Sequence, residues 1–127
     1  MAAASSPSWE GRARAGRDLA AFAEVPEVAG ALVRLLLDAE DTAVTRRTAE
    51  ALARVGSVAA VRVLARAVAG ADEGQADWLE TGVLDAEAPD VAAACAALAW
   101  DREEAVRRGA AEVAVWVGAN GGSGDRS

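Results

Sequence analysis

Apolar residues recur along this chain at the spacing of amphipathic helices. In the segment that starts at Pro26, the residues Val28, Leu32, Leu35 and Leu36 fall on one face, because residues three or four apart share a side of a helix. Six further segments repeat this spacing. The predicted helices span residues 9–23, 26–38, 43–55, 58–69, 75–86, 89–100 and 102–117.

Capping residues and glycines predict where these helices begin and end. Ser8 and Thr42 are predicted to cap the first and third helices, and Gly56 and Gly70 to end the third and fourth. The connections are short, so each helix is expected beside its predecessor in alternating direction. This gives three hairpins preceded by one unpaired helix. Residues 1–8 and the Gly/Ser-rich stretch 119–127 are expected to be flexible.

A 13-residue segment occurs twice, 62 positions apart. Residues 44–56 return as residues 106–118, with identities at Val44/Val106, Arg46/Arg108, Ala49/Ala111, Glu50/Glu112, Val55/Val117 and Gly56/Gly118. Half of that interval is about 31 residues, the length of one helical hairpin in a stacked-repeat protein. The apolar residues are mostly alanines, which favour helices whose backbones approach closely. The repeat therefore predicts a helical solenoid.

These segments resemble the HEAT-repeat family, particularly the HEAT-like repeats of bacteria. The resemblance covers about residues 9–118 and rests on a first helix at residues 26–38 and a second helix of the form Val-Arg-x-x-Ala-Ala-Glu-Ala-Leu-x-x-x-Gly at residues 44–56 and 106–118. It implies an all-α fold, an α-solenoid of about three and a half antiparallel hairpins in a right-handed superhelix. It also implies that Asp38 pairs with Arg46 and Asp101 with Arg108.

Charge and composition limit the partners. The formal net charge is −7 with the arginines spread along the chain, which disfavours binding to nucleic acid. No segment has the length and apolarity of a membrane span, and the N-terminus lacks the features of a secretion signal. The protein is therefore expected to act in the cytoplasm.

Catalytic chemistry is nearly absent from the sequence. Histidine and tyrosine do not occur, and Cys95 is the only cysteine, expected to be a buried and inert thiol. No glycine-rich phosphate loop follows a strand, and the acidic clusters between helices fit capping better than calcium binding. We expect no catalytic residue, no metal site and no cofactor.

Two departures from the repeat suggest where a partner binds. The stretch from Asp77 to Gly82, which includes Trp78, stands where the repeat predicts an arginine-rich and alanine-rich run. A half-exposed tryptophan between acids is a reasonable anchor. Val115 and Trp116 lie off the inward face of the last helix, so they can cover a contact with a partner or a second copy. Trp9, Trp100 and, by default, Trp116 are otherwise expected to pack between hairpins. The candidate partner-binding residues are Arg46, Arg47, Glu50, Asp77, Trp78, Thr81, Arg107, Arg108, Glu112, Val115 and Trp116.

The favoured function is a non-enzymatic interaction module that binds another protein on its concave helix face, since solenoids mostly work through extended surfaces. One alternative is a HEAT-like enzyme or enzyme subunit, because the repeat also occurs in bilin lyases and in DNA glycosylases. A third hypothesis is a small acidic inhibitory partner of another protein.

Overall fold

The computed structural model describes the backbone of residues 8–121 and the side chains of residues 8–118. The regular secondary structure in this part of the chain is entirely helical, with short connections between the helices and no strand. A short 3-10 turn, Ala20–Phe22, follows the first helix, so the predicted helix 9–23 is divided in two. The helices are α1 (Trp9–Leu19), α2 (Pro26–Leu36), α3 (Thr42–Val55), α4 (Val58–Gly70), α5 (Glu73–Ala86), α6 (Asp90–Leu98) and α7 (Glu104–Gly121).

Local capping explains most helix starts. Ser8 and Ser57 accept hydrogen bonds from the backbone N–H groups of Gly11 and Ala60, which would otherwise lack a partner. Asp72 and Gln75 form a reciprocal capping box at the start of α5. Asp41 rather than Thr42 caps α3, because the Asp41 carboxylate reaches the N–H group of Ala43.

Most helix ends differ from the prediction by one to four residues. Gly56 does end α3, in the left-handed conformation that glycine adopts without steric cost. Gly70, by contrast, is the last residue of α4, and Ala71 caps the helix. The last helix continues to Gly121, beyond its predicted end at residue 117. The rest of the predicted flexible tail and most of the predicted flexible N-terminus lie outside the described residues.

One hydrophobic core runs through the stack. It is built from fully buried leucines and valines of successive helices, with alanines filling the space between them. Leu32 and Leu36 of α2, Leu52 of α3, Leu64 of α4 and Leu79 of α5 expose 0% of their surface. Burying a leucine stabilises the fold by roughly 2 kcal/mol, so this shared core binds consecutive helices into an α-solenoid.

Three glycines inside helices mark the closest approaches between helices. A Cβ atom built at Gly16 of α1 would overlap Thr48 of α3, and one at Gly82 of α5 would overlap the Arg46 carbonyl oxygen. A Cβ atom at Gly109 of α7 would overlap the carbonyl oxygen of Ala65 in α4. These positions need glycine because the opposing atoms belong to backbone or to a fully buried side chain.

Helices α1, α3 and α5 form one row, in which α3 packs along both neighbours. The prediction that each helix lies beside its predecessor is wrong for α5, which packs mainly on α3, and for α6, which packs on α4 and α7. Neither helix has more than a marginal contact with the helix before it. The sequence also predicted that α7 continues the row by packing mainly on α5, and this prediction is wrong. Helix α7 packs extensively on α4 and α6, with a smaller contact to α5. The absence of a side chain at Gly109 explains why α7 can lie so close to α4.

The predicted ion pairs Asp38–Arg46 and Asp101–Arg108 are wrong. Asp38 accepts a 2.7 Å hydrogen bond from Nε of Arg12 in α1. Asp101 instead accepts from Nε of Arg62 in α4, at 3.0 Å. Asp38 follows α2, and the hairpin of α2 and α3 packs on α1, which carries Arg12. Asp101 follows α6, and the hairpin of α6 and α7 packs on α4, which carries Arg62. The two ion pairs thus hold consecutive parts of the stack together.

Both carboxylates are poised to stay ionised. Burial would raise the pKa of Asp38, but hydrogen bonds from the N–H groups of Asp41 and Glu40 and from Arg12 lower it below the ordinary value of 3.8. The hydrogen bond from Arg62 lowers the pKa of Asp101, with help from the N–H group of Glu103. In the loops after α2 and α6, one carboxylate therefore accepts backbone hydrogen bonds within its own loop and also binds an arginine of another helix.

None of the helices within residues 8–121 combines the length and the apolarity needed to cross a membrane.

Candidate functional site

An open groove runs between α1 and α3 and has a volume of about 590 Å³. Its floor contains Ala13 and Ala51, whose small side chains keep the two helices close without filling the space above them. Charged side chains form the walls. The lining residues are Glu10, Ala13, Arg14 and Arg17 from α1 and Arg46, Arg47, Glu50, Ala51 and Arg54 from α3. We call this feature the arginine groove.

The arginine groove is positively charged although the protein is acidic. Five of the 13 arginines line it, against two glutamates, so it carries an excess of three positive charges. Residues 70–127 contain twelve acidic residues and four arginines. The acidity of the chain is therefore concentrated in its C-terminal half, whereas the groove lies at the N-terminal end of the stack.

Existing contacts hold some of these arginines in place. The Arg47 guanidinium lies 5.1 Å from the ring centre of Trp9, in a cation–π contact. Arg54 donates a 2.7 Å hydrogen bond to Glu50 one turn earlier, and Arg46 lies 3.6 Å from Asp85 of α5. Arg14 makes no ion pair with any of the described residues.

One face of α5 adjoins the groove. Trp78, Thr81 and Asp85 stand three and four residues apart and so share a side of the helix. Asp85 reaches Arg46 in the groove wall, which places this side next to the groove. Trp78 exposes 40% of its surface. Asp77 is exposed too, and its backbone carbonyl oxygen accepts a 2.9 Å hydrogen bond from the Thr81 hydroxyl group.

The predicted residues of α7 lie elsewhere. Arg108 and Glu112 line a hollow of about 270 Å³ together with residues at the end of α4 and the start of α5, and this hollow shares no lining residue with the arginine groove. Arg107 is exposed and donates a 2.7 Å hydrogen bond to the carbonyl oxygen of Asp101. The prediction therefore combined the arginine groove and this hollow into one binding surface, because it assumed that α7 packs mainly on α5.

The last two tryptophans lie in different environments. Trp116 exposes only 6% of its surface and belongs to the core, so it cannot meet a partner in this structure. Packing, its default expectation, is confirmed. Trp100, which was expected to pack, exposes 88% of its surface. Trp9 is half-buried, and Val115 is exposed as predicted.

The Cys95 thiol is buried, as predicted, and burial raises its pKa to about 11. The thiolate is the reactive form, so this side chain is inert near neutral pH. Among the described residues, no group of three His, Cys, Asp or Glu side chains is arranged to hold a metal ion.

Sequence reasoning missed the α1 wall of the arginine groove. Arg14 and Arg17 were not among the candidates because the first helix was predicted to be unpaired, and the binding face was assigned to the second helices of the hairpins. Their spacing of three residues on a helix with Glu10 was the available signal. It becomes meaningful only when α1 is known to lie along α3.

Comparison with known proteins identifies the family. Neither the curated proteins nor the solved structures include a match to this chain. The family model of HEAT repeats matches residues 1–81, a span that includes both walls of the arginine groove and ends within α5. Because this match covers more than half of the sequence, the chain belongs to the HEAT-repeat family.

Proposed function

We propose that this protein is a non-enzymatic interaction module that binds another protein across the row formed by α1, α3 and α5. HEAT repeats generally mediate protein–protein interactions. The observation that carries the proposal is the arginine groove, an open and charged channel between two helices that elsewhere pack closely enough to require Gly16.

The α5 face extends this proposed surface with an apolar anchor. A partner that lies in the groove would reach Trp78 by crossing Arg46 and Asp85. Partly exposed tryptophans are frequent centres of binding energy because they bury a large area and lose little conformational freedom. The proposed surface therefore combines a charged channel with one aromatic contact. Of the residues first predicted for binding, it keeps Arg46, Arg47, Glu50, Asp77, Trp78 and Thr81.

Site-specific photo-crosslinking tests this proposal. A photoreactive amino acid replaces Arg17, which lines the groove and whose side chain is 68% exposed. A matched variant carries it at Arg34, an exposed arginine of α2 outside the groove. After irradiation in the native cells, we expect a defined protein adduct from position 17 and none from position 34. Equal labelling from both positions, or adducts from position 34 alone, contradicts the proposed surface.

A further inference from the structure

We infer that the arginine groove binds a short acidic peptide segment of the partner, an inference that rests on the proposed function. The excess of three positive charges along its walls is complementary to carboxylates. Arginine suits this role because its planar guanidinium donates two parallel hydrogen bonds to one carboxylate.

The dimensions of the groove set the length of the segment. Its walls run from Glu10 to Arg17 on α1 and from Arg46 to Arg54 on α3, which corresponds to about 10–12 Å at the helical rise of about 1.5 Å per residue. An extended peptide advances about 3.3 Å per residue. Three or four residues therefore fit, with alternate side chains directed toward opposite walls.

The arginines are available to such a segment at low cost. Arg54 and Arg17 contact acidic residues of their own helices, and their side chains are 62% and 68% exposed. Exposed pairs of this kind contribute little free energy, so a carboxylate of the peptide can replace the internal partner. Arg14 has no such partner among the described residues, and Trp9 already orients Arg47.

The same groove is less suited to nucleic acid. Glu10 and Glu50 interrupt the positive charge within it, and a continuous row of phosphates would pass both carboxylates. The acidic C-terminal half would also repel a polyanion that extends beyond the groove. The carboxylates of a peptide stand on flexible side chains, so they can turn toward the arginines and away from Glu10 and Glu50, whereas phosphates fixed along a nucleic-acid backbone cannot.

Fluorescence anisotropy of the full chain with fluorescein-labelled hexaglutamate tests the inference, with labelled hexaglutamine and a seven-nucleotide oligothymidine as comparison probes. We expect hexaglutamate to bind at about 50 mM salt, more tightly than either comparison probe, and to dissociate as salt rises. The variant Arg14→Gln/Arg47→Gln should weaken binding at least tenfold. The control Arg34→Gln/Arg102→Gln removes the same charge from exposed arginines outside the groove, and it should change affinity less than twofold. Circular dichroism of each variant verifies folding.

Three results would overturn the inference: no binding of hexaglutamate, tighter binding of the oligothymidine, or equal losses in the two double variants. Failure here is distinguishable from failure of the proposed function. If a protein is crosslinked specifically from position 17 while hexaglutamate does not bind, the interaction surface stands and only the acidic nature of the segment is wrong.

Discussion

Gly109 of α7 lies directly against the backbone carbonyl group of Ala65 in α4, with no room for a Cβ atom between them. This contact lies where the last hairpin packs mainly on α4, with only a smaller contact between α7 and α5 of the row formed by α1, α3 and α5. This packing separates the residues of α7 from the arginine groove.

Replacing Gly109 with alanine should destabilise the protein. The new methyl group would overlap backbone, which cannot rotate away as a side chain can, so α7 must shift from α4. We expect a loss of about 2 kcal/mol in the free energy of unfolding, within the usual range for overpacking. Urea denaturation followed by circular dichroism measures it.

Gly118 provides a control in the same helix. A Cβ atom there meets nothing within 4 Å, so Gly118→Ala should stabilise the protein by about 0.5 kcal/mol through helix propensity alone. If both alanine variants shift the urea midpoint in the same direction, the close contact between α7 and α4 is wrong.

The ion pair between Asp38 and Arg12 should contribute measurably to stability. Its side chains are only 8% and 10% exposed, and the Asp38 carboxylate also accepts two backbone hydrogen bonds. Asp38→Asn is expected to lower the free energy of unfolding by about 2 kcal/mol. Glu40→Gln removes a carboxylate that is 80% exposed and 3.6 Å from Arg12, and should cost less than about 0.5 kcal/mol. Equal costs would show that Asp38 has no special role.

Acid should weaken the fold through Asp38 and Asp101. Folding lowers the pKa of both groups from 3.8, so the unfolded chain binds protons more readily than the folded chain. The stabilisation is fully present above about pH 5 and is lost as the pH falls through 3.8 toward the lower pKa of the folded state. The urea midpoint should therefore decrease between pH 5 and pH 3. In Asp38→Asn/Asp101→Asn this decrease should be smaller, and an unchanged decrease would contradict the assignment.

Trp78 and Arg108 now report on different surfaces. Trp78 shares one side of α5 with Asp85, which lies 3.6 Å from Arg46 of the arginine groove. Arg108 lines the separate hollow beside α7. With the partner identified by crosslinking, Trp78→Ala should weaken its binding about tenfold, while Arg108→Ala should leave the affinity within twofold. Pull-down titration with both variants measures this, and a greater loss in Arg108→Ala would move the binding surface to α7.

The helices were largely predictable from the sequence because their information is local. The spacing of Val28, Leu32 and Leu36, the cap at Ser8 and the stop at Gly56 each act within a turn or two of one helix. The repeat at 62 residues then indicated the HEAT-repeat family, which the family model confirms over residues 1–81.

The packing between distant helices was not predictable. The spacing of the repeat predicted that α7 packs mainly on α5. In the structure α7 packs mainly on α4, where the Ala65 backbone lies against Gly109. The sequence around Gly109 does not indicate which helix approaches it. For the same reason, the arginine partners of Asp38 and Asp101 were predicted wrongly, since each pair joins two different helices. The contribution of Arg14 and Arg17 to the groove was also missed, because it depends on the contact between α1 and α3.

Backbone amide chemical shifts during a titration with hexaglutamate provide the most direct test of the central claim, that the arginine groove binds an acidic segment of the partner. We expect the largest shifts between Glu10 and Arg17 and between Arg46 and Arg54, with smaller ones near Trp78 and almost none in α6. Shifts concentrated in α6 and α7, or spread evenly over every exposed arginine, would contradict the claim.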